Sequence, residues 1–210
     1  MQRRAESQQQ TRLRITESAV ALHGTVGPSR TSISAVAAHA GVRRSTVYRH
    51  FPDEAALFDV CTAHWAAENP PPDLAAWSAI NSPDERQRLA LGELYAFYGR
   101  TEPMLDNLFR DETTTPLVQE RFAAFRDYLD AALDTLMTGR HLRGAARRRT
   151  RAALGHAIAF STWKSLVRGT DSTTPTPPRS FAHSCQPQAN RVCHSHCRRA
   201  PERLRDSRRP

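Results

Sequence analysis

The chain has 210 residues, 39% of them hydrophobic, which is enough apolar material for the core of one large domain or two small ones. It contains no run of eighteen apolar residues, and its first ten residues are too polar for a secretion signal, so we expect a cytoplasmic protein without a membrane span. Cys61 stands apart from the other three cysteines, which crowd residues 185–197, so we expect no structural disulfides.

The formal net charge of +9 favours a polyanionic partner, but its distribution matters more than its total. Residues 171–210 hold eight arginines against three acidic residues, a net charge of +5, whereas residues 1–64 reach +3 with eight arginines against five acidic residues. More than half of the excess therefore lies in the last part of the chain. DNA binding has to be argued from a local pattern instead.

The chain begins with a polar arm at residues 1–10, whose Arg3 and Arg4 either contact DNA phosphates or belong to a frayed terminus. A first helix is predicted from Thr11 to about residue 24, because apolar residues recur on one face from Ile15 onward. This helix would pack across the two helices that follow it and complete a three-helix core.

Residues 31–51 carry the strongest pattern in the sequence. Ile33, Val36, Ala37 and Ala40 form one apolar face of a helix, and the hydroxyl of Thr31 is the predicted N-cap. Gly41 then allows a sharp left-handed turn into a second short helix. The second helix places Val47 and Phe51 inward and polar residues elsewhere, which is typical of a helix-turn-helix with its second helix in a DNA major groove.

The polar face of the second helix carries side chains suited to DNA. Arg44 can present a bidentate fork to guanine, Ser45 and Thr46 can donate to phosphates or base edges, and Tyr48, Arg49 and His50 are placed for backbone contacts. The alternative is a merely solvated polar face on a small helix.

The string AAHAGVRRSTVYRHFPDEAALF resembles the N-terminal DNA-binding domain of the tetracycline-repressor (TetR) family of bacterial regulators. The matching positions are Ala37, Gly41, Val47, Tyr48, His50, Phe51 and Leu57. The resemblance implies that Thr31 also touches a phosphate. Arg43 stands where family members commonly cap the recognition helix with Ser or Thr, which removes a cap and adds a cation near the groove.

A fourth helix is predicted from Pro52, with Asp53 and Glu54 at its positive end and Cys61 on its inward face, until Pro70 stops it. The DNA-binding domain would thus span residues 11–69. Residues 73–169 show only helical periods, so we predict an all-α protein with a second, helical domain for effector binding and dimerisation. Its predicted helices cover residues 83–100, 102–110, 116–138 and 145–167.

Aromatic residues of the second domain could line a ligand cavity, and the resemblance implies that a small effector binds there. Aromatic residues at helical spacing are otherwise ordinary core, and a histidine in an apolar helix is otherwise a satisfied core residue. The predicted ligand-binding residues are Tyr95, Tyr98, Phe122, Phe125, His156 and Trp163. Since charge is scarce in this set, we expect a neutral or cationic apolar ligand.

Residues 170–210 change abruptly to a low-complexity sequence rich in Pro, Ser, Arg, Cys and His, for which we predict disorder. Family members usually end with another amphipathic helix that completes the dimer interface, so this ending is a departure that a shifted reading frame would produce. The Cys and His residues there lack a C-x2-C pair and an apolar nucleus, so no metal site and no cofactor are predicted. No enzyme motif occurs.

These patterns predict a dimeric, ligand-responsive repressor that reads a pseudo-palindromic operator in double-stranded DNA, with half-sites about one helical turn apart. One alternative is a truncated or frame-shifted regulator that cannot dimerise and binds DNA weakly and without specificity. Another is a basic DNA binder that acts through the arginines of the tail.

Overall fold

The computed structural model describes residues 2–169, and every regular element there is helical. Residues 170–210, where the disordered tail was predicted, lie outside the described residues. The ten α-helices are α1 (Gln2–Thr25), α2 (Ile33–His39), α3 (Arg44–His50), α4 (Glu54–Glu68), α5 (Leu74–Ser78), α6 (Pro83–Asp111), α7 (Pro116–Arg121), α8 (Ala123–Met137), α9 (Gly144–Ile158) and α10 (Phe160–Gly169). A 3-10 turn covers Pro28–Arg30. The all-α prediction is confirmed.

Helices α1 to α4 form the first unit, here called the reading head, around a small apolar core. Its buried residues are Ile15, Ala19, Ile33, Val36, Ala37, Ala40, Val47, Phe51, Leu57 and Cys61. The predicted inward faces of α2 and α3 are therefore the ones that pack. Gly41 has a φ of +65°, a left-handed conformation that lets α3 leave α2 at a sharp angle.

The start of the head differs from the prediction at residues 1–10. Helix α1 begins at Gln2 instead of Thr11, although residues 3–10 are exposed. Arg, Ala, Glu and Gln in this segment are strong helix formers, and no glycine or proline interrupts them, so local propensity extends the helix. The polar arm is thus a helical extension of α1.

Two helix starts also differ by a residue or two from the expected caps. Ser32 caps α2, since its Oγ accepts from the amide of Ala35 at 3.1 Å, while the hydroxyl of Thr31 donates to the carbonyl of Gly27 at 2.8 Å. Asp53 caps α4 by accepting from the amide of Ala56 at 2.7 Å, so Pro52 lies before the helix. A carboxylate or hydroxyl oxygen that accepts a hydrogen bond from a backbone amide identifies the N-cap residue more directly than sequence spacing does.

Helix α6 is continuous and contains Pro103, whereas the sequence predicted two helices, residues 83–100 and 102–110. A proline inside a helix removes the hydrogen bond to the carbonyl four residues earlier and crowds it. That earlier residue is Gly99, which has no side chain to add to the crowding, and Thr101 donates to the carbonyl of Phe97 at 2.7 Å. Buried residues on both sides of Pro103, such as Tyr98 and Leu105, hold the helix together across it.

Two predicted single helices are each divided in two. The predicted helix of residues 116–138 bends at Phe122, which ends α7 and begins α8. The predicted helix of residues 145–167 breaks at Ala159, whose ψ of 135° is extended. The break exposes carbonyls at the end of α9, and two tyrosine hydroxyls of α6 satisfy them: Tyr95 donates to Ala157 at 2.9 Å and Tyr98 to Ile158 at 2.6 Å.

Helices α5 to α10 enclose a second and larger core. At one end of this core, a buried arginine of α6 connects the ends of α5 and α8. The guanidinium of Arg86, in a residue only 3% exposed, donates to the carbonyls of Trp77, Ile80, Thr135 and Thr138 at 2.5 to 3.2 Å. Helices α5 and α8 end on these carbonyls, so the cation replaces the partners that a helix C-terminus lacks.

The end of α6 joins the second unit to the reading head through a polar contact with the turn after α1. The amide of Asn107 donates to the carbonyl of His23 at 2.8 Å, and Arg110 donates to the carbonyl of Val26 at 3.0 Å. The buried carboxylate of Asp111 accepts from the amide of Ser29 at 2.9 Å and from Arg110 Nε at 2.8 Å. We call this contact the α1–α6 joint.

The ionisation of Asp111 fits this role. Burial opposes its charged form, but the bonds from Arg110 and Ser29 outweigh burial and hold the pKa of the carboxyl below its ordinary value. The charge is therefore present wherever the joint is formed at neutral pH.

Within residues 2–169 no helix combines the length and the apolar character needed to cross a bilayer.

Candidate nucleic-acid interface

Helix α3 has one buried side and one open side. Val47 and Phe51 are 0% and 1% exposed, so their side chains fix the helix to the head. The predicted contacts Arg43, Arg44, Ser45, Tyr48 and Arg49 are exposed, and Thr46 and His50 are half-buried at the edge. No side chain caps α3 at Arg43, so the amides of its first turn have no side-chain acceptor. The helix thus presents a continuous polar surface.

Arg44 and Tyr48 act as one unit on this surface. The guanidinium of Arg44 donates to the Tyr48 hydroxyl at 3.1 Å and lies 5.4 Å from the ring centroid. The bond to Tyr48 raises the pKa of Arg44, so the side chain is a permanent cation. Since one fork nitrogen is held by Tyr48, the guanidinium is oriented and the remaining donors face outward.

Arg12 of α1 is a positioning residue that the sequence analysis missed. Its guanidinium donates to the carbonyl of His50 at 2.6 Å and lies 4.3 Å over the Phe51 ring, which holds α1 against the end of α3. Its place three residues before Ile15, on the inward face of α1, was the available signal. Burial, followed by the nearby cations Arg49 and Arg12, lowers the pKa of His50, so its ring is neutral.

The sequence analysis gave Thr31 both the N-cap of α2 and a phosphate contact, but Ser32 is the cap. Both hydrogen-bond donors of Thr31 are used inside the protein, because its amide donates to the carbonyl of Pro28 and its hydroxyl donates to the carbonyl of Gly27. A phosphate can only accept, so Thr31 would have to leave Gly27 to reach one. Ser32 is exposed, and its oxygen accepts from Ala35, which leaves its own hydroxyl proton for an acceptor outside the protein.

A cavity of about 220 Å³ lies between the head and the second unit. Its walls come from α1, α4, α6, α7 and α8 and from the chain before α5, and they are mainly apolar. Six aromatic side chains contribute to it: Phe58, Trp65, Phe97, Phe122, Phe125 and Tyr128. Because α4 supplies part of the wall, a molecule in this cavity would touch the reading head and the second unit together.

Only two of the six predicted ligand residues, Phe122 and Phe125, line this cavity. The hydroxyls of Tyr95 and Tyr98 instead donate hydrogen bonds to carbonyls at the end of α9. Trp163 is 2% exposed and lies beside Tyr98 in the aromatic core. His156 is exposed and does not line this cavity, so it is not the satisfied core histidine that the sequence analysis offered as the alternative. Its ring is within 3.4 Å of the Thr162 hydroxyl across the break between α9 and α10.

His23 of α1 and Cys61 of α4 are adjacent polar residues in the part of the cavity wall that the head supplies. His23 Nδ1 lies 3.5 Å from Cys61 Sγ, and its ring is 5.3 Å from that of Phe58. Burial lowers the pKa of His23 to about 4, against the weaker opposing effect of Asp111, so the ring is neutral at pH 7. Burial raises the pKa of the Cys61 thiol to about 12, so it is protonated. The wall therefore carries no charge at this point.

The family model described as bacterial regulatory proteins of the tetR family matches residues 15–61, which span the packed part of α1, the two helices of the motif and half of α4. The N-terminal domain of this chain belongs to the TetR family. Its fold and the exposed surface of α3 are those of a DNA-binding transcriptional regulator. Such regulators are generally not enzymes.

Solved structures extend the similarity to the second unit, at the level of the fold. A candidate fatty acid metabolism regulator of Clostridium perfringens has 13% identity and a TM-score of 0.55, with 81% of this chain and 93% of the other covered. A candidate TetR-family regulator of Mesorhizobium loti has 16% identity and a TM-score of 0.54, with 85% of this chain and 92% of the other covered. A mutant of HlyIIR has 15% identity and a TM-score of 0.56, with 85% of this chain and 94% of the other covered. No curated protein matches the sequence.

Proposed function

We propose that this chain is a cytoplasmic, ligand-responsive repressor that binds a pseudo-palindromic DNA operator as a homodimer. The observation that carries the proposal is the open polar face of α3, fixed from behind by Val47 and Phe51 and from the side by Arg12. A rigid helix with oriented donors is what base recognition in the major groove requires.

Dimerisation is proposed because one short recognition helix reads too few base pairs for a unique site. Helix α3 has seven residues, and helix-turn-helix proteins reach specificity by pairing two such helices about one turn of DNA apart. The monomeric, non-specific alternative is tested by light scattering coupled to size exclusion. A dimer mass at micromolar concentration supports the proposal, and a monomer mass with unselective DNA binding overturns it.

The effector site is proposed in the cavity between the two units. Its walls are mainly apolar, and Arg121, the charged side chain at its edge, is engaged by Asp59 of α4 and by Glu120. An apolar molecule that binds there in only one arrangement of α4 would favour that arrangement. If this arrangement spaces the two α3 helices wrongly for the operator, the ligand releases the repressor.

The DNA-binding part is tested by selecting duplexes from a random library with the full-length protein. We expect enrichment of an inverted repeat, and Arg44→Ala should weaken binding to it by about 1–3 kcal/mol, roughly 5- to 150-fold. Arg44→Lys keeps a cation but loses the fork, so it should lose most of the sequence preference. Arg88→Ala is the matched control, because it removes an exposed arginine near the start of α6, outside the recognition helix, and it should leave operator binding unchanged. Equal enrichment of all sequences would refute the proposal.

The coupling part can be tested without knowing the effector, by filling the cavity. Ala124 lines the cavity, so Ala124→Trp places an indole where a ligand would bind. We expect weaker operator binding, by the 1–3 kcal/mol typical of coupled sites, with an unchanged helical circular-dichroism spectrum. Ala131→Trp, at a position of the same helix that does not line the cavity, should leave binding unchanged. Equal affinity of both variants and the wild type would contradict coupling through this cavity.

A further inference from the structure

Helix α1 extends past the reading head in a definite direction. The last turn of α1 meets the end of α6, where Asn107 bonds the carbonyl of His23. Arg12, near the middle of α1, meets the end of α3 at His50 and Phe51. Helix α1 therefore runs from the second unit to the recognition helix. Its first residues continue beyond that point, on the side of the head away from the second unit.

The N-terminal extension, residues 2–10, has the chemistry of a surface for polyanions. Its described side chains at residues 3–10 are all exposed, and Arg3 and Arg4 form no ion pair among the described residues. Ala5 is its one aliphatic residue, so it offers no apolar face to another protein. Together with Arg12 and Arg14, it gives four arginines against Glu6 before the first fully buried residue, Ile15.

The charges are also distributed unevenly around the helix. Steps of three and four residues put Arg4, Gln8, Thr11 and Ile15 on the same side, which is the side that packs on the head further along. Glu6 lies on the opposite side. Arg4 is eight residues before Arg12, so it is about 12 Å further along the axis, about the length of three or four base pairs.

We propose that the N-terminal extension of α1 lies against the DNA backbone outside the base pairs that α3 reads, with Arg3 and Arg4 on phosphates. This inference rests on the proposed function, because it needs α3 to be docked in the major groove. The contacts are independent of sequence and lengthen the operator footprint. They strengthen binding and increase its dependence on salt.

The test measures binding at several salt concentrations for two lengths of the selected operator. One duplex ends at the selected sequence, and the other carries about six further base pairs of random sequence at each end, which exceeds the reach of the extension. On the long duplex, Arg3→Ala/Arg4→Ala should lower the slope of log K against log salt by about two units per bound protomer. On the short duplex, wild type and variant should bind alike.

Arg148→Ala/Arg149→Ala removes two exposed arginines of α9 and is the matched control, which should keep the wild-type slope on the long duplex. Alanine preserves the helix at residues 3 and 4, and circular dichroism checks this. Enrichment of an operator with an unchanged slope for Arg3→Ala/Arg4→Ala overturns this inference alone. A changed oligomer mass with an unchanged slope assigns the extension to protein contact and also overturns it. If the wild type enriches no sequence, the proposed function and this inference both fail.

Discussion

Gly27 is the position in the α1–α6 joint where a single methyl group should do the most damage. Its φ of +95° and ψ of 156° lie in a region essentially open to glycine alone. A Cβ placed there would also be 2.6 Å from Asp111 Oδ2 and would overlap the guanidinium of Arg110. Gly27→Ala therefore strains the backbone and pushes on both side chains that bind this turn.

The expected loss of stability follows from these two effects. The backbone strain costs about 1–3 kcal/mol. If Asp111 moves, it loses its bond to the Ser29 amide, and a hydrogen bond to a charged group contributes about 1.5–3 kcal/mol. Arg110 is nearly half exposed and can swing away at little cost, so its bond to Val26 adds little. We expect Gly27→Ala to lower the free energy of unfolding by about 3 kcal/mol.

Urea unfolding followed by circular dichroism measures this difference as a shift in midpoint at constant slope. Gly24→Ala is the matched control, because Gly24 is helical and its added Cβ would meet only Met104 Cε at 3.8 Å. It should stabilise the protein by up to about 1 kcal/mol through helix propensity. Gly41→Ala separates strain from overlap, since Gly41 has a φ of +65° but open space around it. A Gly27→Ala protein with the wild-type midpoint would refute the reasoning.

Three further substitutions test other parts of the structure. Tyr98→Phe should cost about 1–3 kcal/mol in urea unfolding, because it leaves the buried carbonyl of Ile158 without its donor at 2.6 Å. Arg86→Met should cost about 3 kcal/mol or more, since the ends of α5 and α8 lose the cation that binds their carbonyls, and an unchanged midpoint would contradict this role. His23→Leu should remove a pH dependence. Burial lowers the pKa of His23 to about 4, so the unfolded chain binds more protons between about pH 6.5 and pH 4. The wild type should therefore lose roughly 3 kcal/mol relative to the variant as pH falls through that window, and parallel stability curves would exclude this.

The helix-turn-helix could be predicted from sequence because every signal for it is local. The period of Val36 and Ala37, the glycine at 41 and the spacing to Val47 all lie within fifteen residues. Each signal has a direct physical meaning, since buried faces need a helical period and a left-handed turn needs glycine. The polar surface of α3 follows from these positions, because the residues that are not buried must face outward.

The helix breaks and the cavity could not be predicted because they depend on contacts between distant residues. The break at Ala159 is stable because Tyr95 and Tyr98, some sixty residues earlier, supply the missing donors. The same bonds take both tyrosines out of the cavity, while Phe97 between them faces it. Helical spacing shows which residues are apolar, but it does not show which neighbouring helix each one meets.

His23 of the reading head contacts the second unit and also lines the cavity, so its surroundings limit the kind of effector that fits. The backbone of His23 is held by Asn107 of α6, while its neutral ring lines the cavity next to Cys61 of α4. A charged effector would need a counter-charge, and Arg121, which already binds Asp59, is the charged side chain in the wall. A carboxylate would have to draw Arg121 from Asp59 and so break a bond between α7 and α4, whereas a neutral molecule leaves that bond intact. Under the proposed function, an acidic effector would therefore act on α4 directly, and a neutral one would act through the volume it fills.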